Sequence, residues 1–188
     1  MKIALIGSHG VGKTTLCFEL AAALKRRNVD LEMVREVARR CPLPINQETT
    51  VAAQEWILHT QISWEIEADA THEMVLCDRS VLDNYCYLVH AAGSVRAWEQ
   101  FLDHWMATYD LLVYVPVCSR PSFDGVRAVD PGFQEQIELL LEGMITARAL
   151  CPLRLDSNDR DHWCEAIVEN LLPRLEPTLP LFSEGDAQ

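Results

Sequence analysis

The chain has 188 residues, enough for one domain with a sizeable core. Apolar residues make up 49% of it, yet no run approaches the roughly 18 residues that span a bilayer, so no membrane partner is expected. A formal net charge of −12 argues against a nucleic-acid partner, because a duplex-binding protein presents a basic face.

The first residues, MKIALIGSHG, carry one lysine and a short apolar run without a small-residue cleavage site, so a soluble cytoplasmic protein is expected. KIALIG reads as a short buried strand. A helix follows over 13–27, with Leu16, Leu20 and Leu24 on one stripe. LEMV is a second strand, and 49–72 is a long helical pattern with few breakers. MVLC is a third strand, with helices over 81–91 and 95–108 after it. LLVYVPV is the fourth strand. Proline opens a helix over 131–150, LRL is a weak fifth strand, and 159–172 forms the last helix. The tail 176–188 mixes prolines and acids and is expected to be loose, leaving one domain over 1–175. Strands alternating with helices predict an α/β fold of three layers, a five-stranded parallel sheet covered on both faces. The seven cysteines are scattered and include no C-x-x-C, which argues against a zinc site or a disulfide framework.

GSHGVGKT matches G-x-x-x-x-G-K-[ST] in full, after a strand and at the start of a helix. The amides of Gly7, Ser8, His9, Gly10, Val11, Gly12, Lys13, Thr14 and Thr15 are candidates for cradling the phosphates of ATP. Lys13 can reach the β- and γ-phosphates, and the Thr14 hydroxyl can bind Mg²⁺. An acidic chain can still hold such an anion where a few basic groups converge. Candidates for that convergence are Lys13, Arg35, Arg39, Arg40, Arg79 and Arg127.

Ligands of parallel sheets bind at the carboxyl ends of the strands. Asp78 follows MVLC and stands at that end, whereas Asp110 precedes its strand and belongs at the opposite edge. Asp78 is therefore the second metal candidate, and it can also orient an acceptor hydroxyl and take its proton. Asp78 could instead cap the next helix, although Ser80 suits that role better. Arg79 can hold substrate or nucleotide oxygens. Asp83 and Tyr85, on the following helical turns, are candidates for lining an acceptor pocket. So are Glu36 and Arg39 after the second strand, and Gln54 and Gln61 on the long helix. If 35–40 is helical, Glu36 and Arg40 form an i, i+4 pair and Arg39 points elsewhere. Trp56 reads as core by its helical spacing. The connection near 118–132 is long enough for a lid, and its Arg127 is the candidate for closing over the phosphates. Asp130 either holds that arginine or starts the next helix.

Asp78-Arg79-Ser80 resembles the D-R-[YFS] and E-R-S motifs of thymidylate and deoxynucleoside kinases. FDGVR resembles the D-G-x-R lid of ribosylnicotinamide kinase. With EVAR and A-Q-x-x-I-x-x-x-Q, these motifs are similar in order to an AAA-type ATP-binding family of small P-loop kinases close to ribosylnicotinamide kinase, over about 1–172. The departure is Asp78-Arg79-Ser80 where ribosylnicotinamide kinases carry D-T-D, so that substrate does not carry over. The resemblance implies a nucleoside/nucleotide-kinase-like fold and transfer of the ATP γ-phosphate, with Mg²⁺, to a small-molecule phosphate acceptor. It also puts adenine by the loop after the last strand, where Ser157 and Asn158 lie. A nucleoside monophosphate kinase, an ATP-driven switch and a homo-oligomer all stay open.

Overall fold

The computed structural model describes residues 1–118 and 130–175. Residues 119–129, which include Arg120 and Arg127, and the tail 176–188 lie outside the described residues.

Five parallel strands form the central sheet: β1 (Lys2–Ile6), β2 (Leu31–Val34), β3 (Met74–Asp78), β4 (Leu111–Tyr114) and β5 (Leu153–Arg154), in the order β2-β3-β1-β4-β5. The expected three-layer α/β architecture is present. Helix α1 (Lys13–Lys25) joins β1 to β2, and α2 (Val51–Thr71) joins β2 to β3. Then α3 (Val81–Ala92) and α4 (Arg96–Met106) join β3 to β4, α5 (Pro131–Ala147) lies before β5, and α6 (Trp163–Leu175) follows it.

Strand side chains alternate between two apolar layers. Ile3 and Leu5 of β1, with Leu76 of β3 and Val113 of β4, pack against Leu16, Leu20 and Leu24 of α1 and Ile167 and Leu171 of α6. Ala4, Ile6, Val75 and Cys77 point the other way, into a layer shared with α2, α3, α4 and α5. Buried on both faces, the strands read as near-continuous apolar runs.

Right-handed crossovers explain which helix covers which face. The connection from β1 to β2 runs one way along the sheet, and the later strand connections run the other way. α1 therefore packs on one face, and α2 through α5 pack on the opposite one. The chains leaving the neighbouring strands β1 and β3 diverge to opposite faces, which opens a crevice at their carboxyl ends. Asp78 lies level with Leu5 at that end. Asp110 lies at the amino edge, where its carboxylate accepts the Lys2 backbone N–H at 2.6 Å.

Several boundaries differ from expectation. The stretch after β2 is a 3₁₀ turn, Val37–Arg40, in place of an α-helical turn. Its three-residue period pairs Glu36 with Arg39 (2.7 Å), while Arg40 stands over the Trp64 ring. Helix α6 starts at Trp163, after a 3₁₀ turn over Arg160–His162. Trp56 is half-buried. Among the described residues, no helix is long and apolar enough to cross a membrane.

Two glycines test this packing in opposite directions. A Cβ on Gly7, at φ +149°, would stand 2.6 Å from the Val115 carbonyl oxygen, whereas one on Gly143 within α5 would meet nothing within 4 Å. In chemical unfolding, Gly7→Ala should lower stability by about 1–3 kcal/mol. Gly143→Ala should raise it by about 0.5–1 kcal/mol. A neutral Gly7→Ala would show that the backbones leaving β1 and β4 do not approach each other so closely there.

Candidate active site

The site is built on three loops at the carboxyl edge. The first runs from β1 into α1. Gly12, at φ +98°, turns the chain into the helix in a conformation that disfavours a Cβ. Lys13 opens the helix, and its ammonium donates to the carbonyls of Gly7 and Ser8 at 2.6 Å each. Burial, with the Arg79 charge nearby, pulls Lys13 down to about 8. Helix α5 holds the loop from outside: Gln134 donates to the His9 carbonyl at 2.6 Å, and the Ser8 N–H donates to Glu138 at 3.2 Å.

The second loop is the turn after β3. Asp78 accepts the Thr14 hydroxyl at 2.6 Å, and burial raises its pKa even though that hydrogen bond opposes the shift. Mg²⁺ is usually held by one or two protein oxygens together with phosphates. The adjoining Thr14 and Asp78 oxygens at the foot of the phosphate loop fit such an ion. Ser80 caps α3, as expected, in a capping box with Asp83. Both Asp83 oxygens are engaged: Oδ1 accepts the Gly7 N–H at 3.0 Å, and Oδ2 accepts the Ser80 N–H and hydroxyl. Asp83 thus ties the phosphate loop to this turn. The S-x-x-D pattern at Ser80–Asp83 was the available signal for that tie.

The third loop follows β2 and brings in Glu36. Its carboxylate accepts Arg79 Nε at 2.8 Å and Arg39 Nε at 2.7 Å. Burial opposes its ionisation, but Arg79, Lys13 and Arg39 outweigh burial and hold Glu36 at about 2. Beside this ion pair lies a narrow cavity of about 30 Å³, lined by His9, Ile45, Gln54, Ile57, Asn84 and Tyr87 together with Glu36, Arg39 and Arg79. Gln54 Oε1, Asn84 Nδ2 and Arg79 Nη1 are buried and have no hydrogen-bond partner among the described residues. On the other side of Glu36, an open cleft of about 560 Å³ reaches Thr14 and Asp78.

The structure therefore brings together Lys13, Thr14, Glu36, Arg39, Gln54, Asp78 and Arg79. Three expected pocket residues stand apart. Asp83 is committed as described. Tyr85 is in the core, and its hydroxyl accepts the Val95 N–H at 3.2 Å. Gln61 donates to Glu65 at 2.8 Å and to the Arg79 carbonyl at 3.3 Å. Asn158 is exposed and bonded to Asp156. Asp130 caps α5 by accepting the Gly132 N–H at 2.9 Å, which bears out its placement at a helix start. Asn84 and Tyr87 line the cavity but were not singled out in the sequence. Their spacing of five and eight residues after Arg79 places them on the helix face below it.

An AAA-domain family model matches residues 2–161. The chain belongs to this AAA-domain family. No curated protein sequence matches it. Among solved structures it is similar to deoxyadenosine kinase from M. mycoides with products dCMP and a flexible dCDP bound. That likeness has a TM-score of 0.63 and 18% identity, and covers 92% of this chain and 100% of the other. The same kinase with bound dATP gives 0.62 and 19%, covering 92% and 99%. With bound dCTP it gives 0.63 and 17%, covering 92% and 100%. The fold of this AAA-domain protein is thus that of a P-loop nucleoside kinase.

The depressed Lys13 pKa sets a pH signature for the AAA-domain protein. Lys13 loses its proton at about 8 when folded and at its ordinary 10.5 when unfolded. Between those values the unfolded chain binds more protons, so the Lys13 contribution to stability rises with pH, by about 3 kcal/mol in all. Lys13→Met removes that rise. Urea unfolding at pH 8 and pH 10 should show wild type gaining about 2–3 kcal/mol relative to Lys13→Met. Parallel behaviour of the two proteins would mean that the ammonium is not buried.

Proposed function

We propose that the protein is an ATP-dependent kinase that moves the γ-phosphate to a hydroxyl of a nucleoside or related small metabolite. The observation that carries this reading is the division of labour at one turn. Asp78 faces Thr14 on the phosphate-loop side, and the next residue, Arg79, faces Glu36 on the cavity side. A phosphate loop alone serves switches and motors as well as kinases. A second, polar-lined cavity one residue from the metal-side carboxylate marks a place for a second substrate, which must widen its 30 Å³ or share the adjoining 560 Å³ cleft to enter.

Arriving phosphates would draw the Lys13 ammonium from the Gly7 and Ser8 carbonyls, and their negative charge would raise its pKa again. Thr14 and Asp78 would hold Mg²⁺, which would supply charge neutralisation to the phosphates. In this reading Glu36 orients the acceptor hydroxyl, while Asp78 stays with Thr14. A carboxylate ionised at every physiological pH stands where the acceptor enters, which favours a neutral hydroxyl over a phosphate acceptor. Arg79 and Arg39 stand beside it to meet charge on the transferring group. Arg127 is proposed as the lid cation. A nucleoside is favoured by the cavity's apolar walls, by Gln54 Oε1 and Asn84 Nδ2 there, which have no hydrogen-bond partner among the described residues, and by the likeness in fold to deoxyadenosine kinase.

ATP consumption measured against a panel of nucleosides, nucleotides and small metabolites, with mass detection of product, tests the proposal. Consumption should depend on an added nucleoside. Lys13→Ala, Asp78→Asn and Glu36→Gln should each lower kcat by about 10²–10³-fold. For Glu36→Gln, ATP affinity should stay within a few-fold of wild type. Slow ATP hydrolysis indifferent to every acceptor would overturn the kinase reading in favour of a switch.

A further inference from the structure

Arg79 has φ +96°, a conformation that L side chains rarely adopt, and its guanidinium is buried. Such a conformation persists only where the surroundings over-determine it. Two side chains bracket the turn. Gln61 Nε2 donates to the Arg79 carbonyl at 3.3 Å, and the Tyr109 hydroxyl accepts the Val81 N–H at 3.2 Å.

Both side chains are anchored on the same group, Glu65. Its Oε1 accepts Gln61 Nε2 at 2.8 Å and the Tyr109 hydroxyl at 2.7 Å. Its Oε2 accepts Lys2 Nζ at 3.1 Å and Trp105 Nε1 at 2.8 Å. Glu65 and Gln61 are each 0% exposed. A fully buried carboxylate needs this much compensation, since desolvation alone costs several kcal/mol. An apolar residue would fill the same space without that penalty. What such a residue lacks is the ability to fix two neighbours that hold the 79–81 turn, one at the Arg79 carbonyl and the other at the Val81 N–H.

We propose that Glu65 is a positioning residue for Arg79. Through Gln61 at the Arg79 carbonyl and Tyr109 at the Val81 N–H it locks the turn that contains the strained residue, and the lock aims the guanidinium at Glu36 and the cavity. Gln61 then belongs to the support behind the site and not to the acceptor pocket. The consequence for catalysis rests on the kinase reading, whereas the lock itself does not.

The test separates the two. In the ligand-free full chain, the Arg79 side-chain Nε–H signal is followed by ¹H–¹⁵N NMR and assigned by its loss in Arg79→Lys. Glu65→Gln and Tyr109→Phe should shift this signal and speed its exchange with water by tenfold or more. Leu171→Ala, a core truncation in the opposite apolar layer, should lower the melting temperature and leave the signal in place. The proposal is overturned if the signal is unchanged in Tyr109→Phe, or if it moves equally in Leu171→Ala. Tyr109→Phe decides should Glu65→Gln fail to fold. With deoxycytidine and deoxyadenosine as acceptors, both variants should raise acceptor KM about tenfold and leave ATP KM within twofold. If neither nucleoside is phosphorylated by wild type while the NMR result holds, the choice of acceptor fails and the lock stands.

Discussion

A guanidinium cannot shed its proton, so burying Arg79 forces the protein to bring carboxylates to it. Glu36 comes from the loop after β2 and bonds to it directly, and Asp78 and Asp83 add their charge from either side along the chain. Meeting that need draws three separate loops into one cluster. Lys13, standing in the same cluster, feels the Arg79 charge as repulsion and Asp83, Asp78 and Glu36 as attraction. Within a chain of net charge −12, the cluster sets Lys13, Arg39 and Arg79 against Glu36, Asp78 and Asp83. It is balanced as it stands, and an incoming polyanion meets cations that are already gathered.

The sheet makes this possible by sending the chains after β1 and β3 to opposite faces. The two loops then share one crevice without competing for space above the sheet. Asp83 joins them with a single side chain, because its capping-box position leaves Oδ1 free to reach Gly7. Gln134 and Glu138 attach the phosphate loop to α5, the helix that directly follows residues 119–129. Anything that displaces the start of α5 acts on the His9 and Ser8 peptides.

Much of this was legible in the sequence because it follows from local rules. An apolar run ending in Asp78 placed that carboxylate at the carboxyl edge, and the reverse order placed Asp110 at the amino edge. Ser80 was the better cap, and it is the cap. What was not legible depends on tertiary direction. Gln54 and Gln61 are seven residues apart on one helix, a spacing that puts both on one face. The helix passes the cavity only near its start, so Gln54 reaches the cavity and Gln61 meets the back of the turn. The Glu36–Arg40 expectation failed because four residues between an edge strand and a Pro-containing loop formed a 3₁₀ turn, whose period is three. Tyr85 followed the apolar stripe of α3 into the core and left the cavity to Asn84 and Tyr87.

The Asp78 and Glu36 carboxylates sit in environments that push their pKa values in opposite directions, a separation that suits them to different roles. Asp78 is raised by burial against a single hydroxyl donor, so it gains most from a metal cation placed next to it and Thr14. Glu36 is already ionised and held by two arginines, so it gains little from a further cation. It can offer an oxygen to a neutral hydroxyl only as Arg39 or Arg79 shifts toward a phosphate. In the proposed reaction that exchange links acceptor orientation to phosphate arrival: the arginines that restrain Glu36 are the ones a phosphoryl group would draw away. A carboxylate freed in this way rises back toward the ordinary range, where it is a better hydrogen-bond acceptor and a better base. The ion pair between Glu36 and Arg79 is therefore a support of the fold and, in the kinase we propose, also a restraint on the side chain that meets the acceptor.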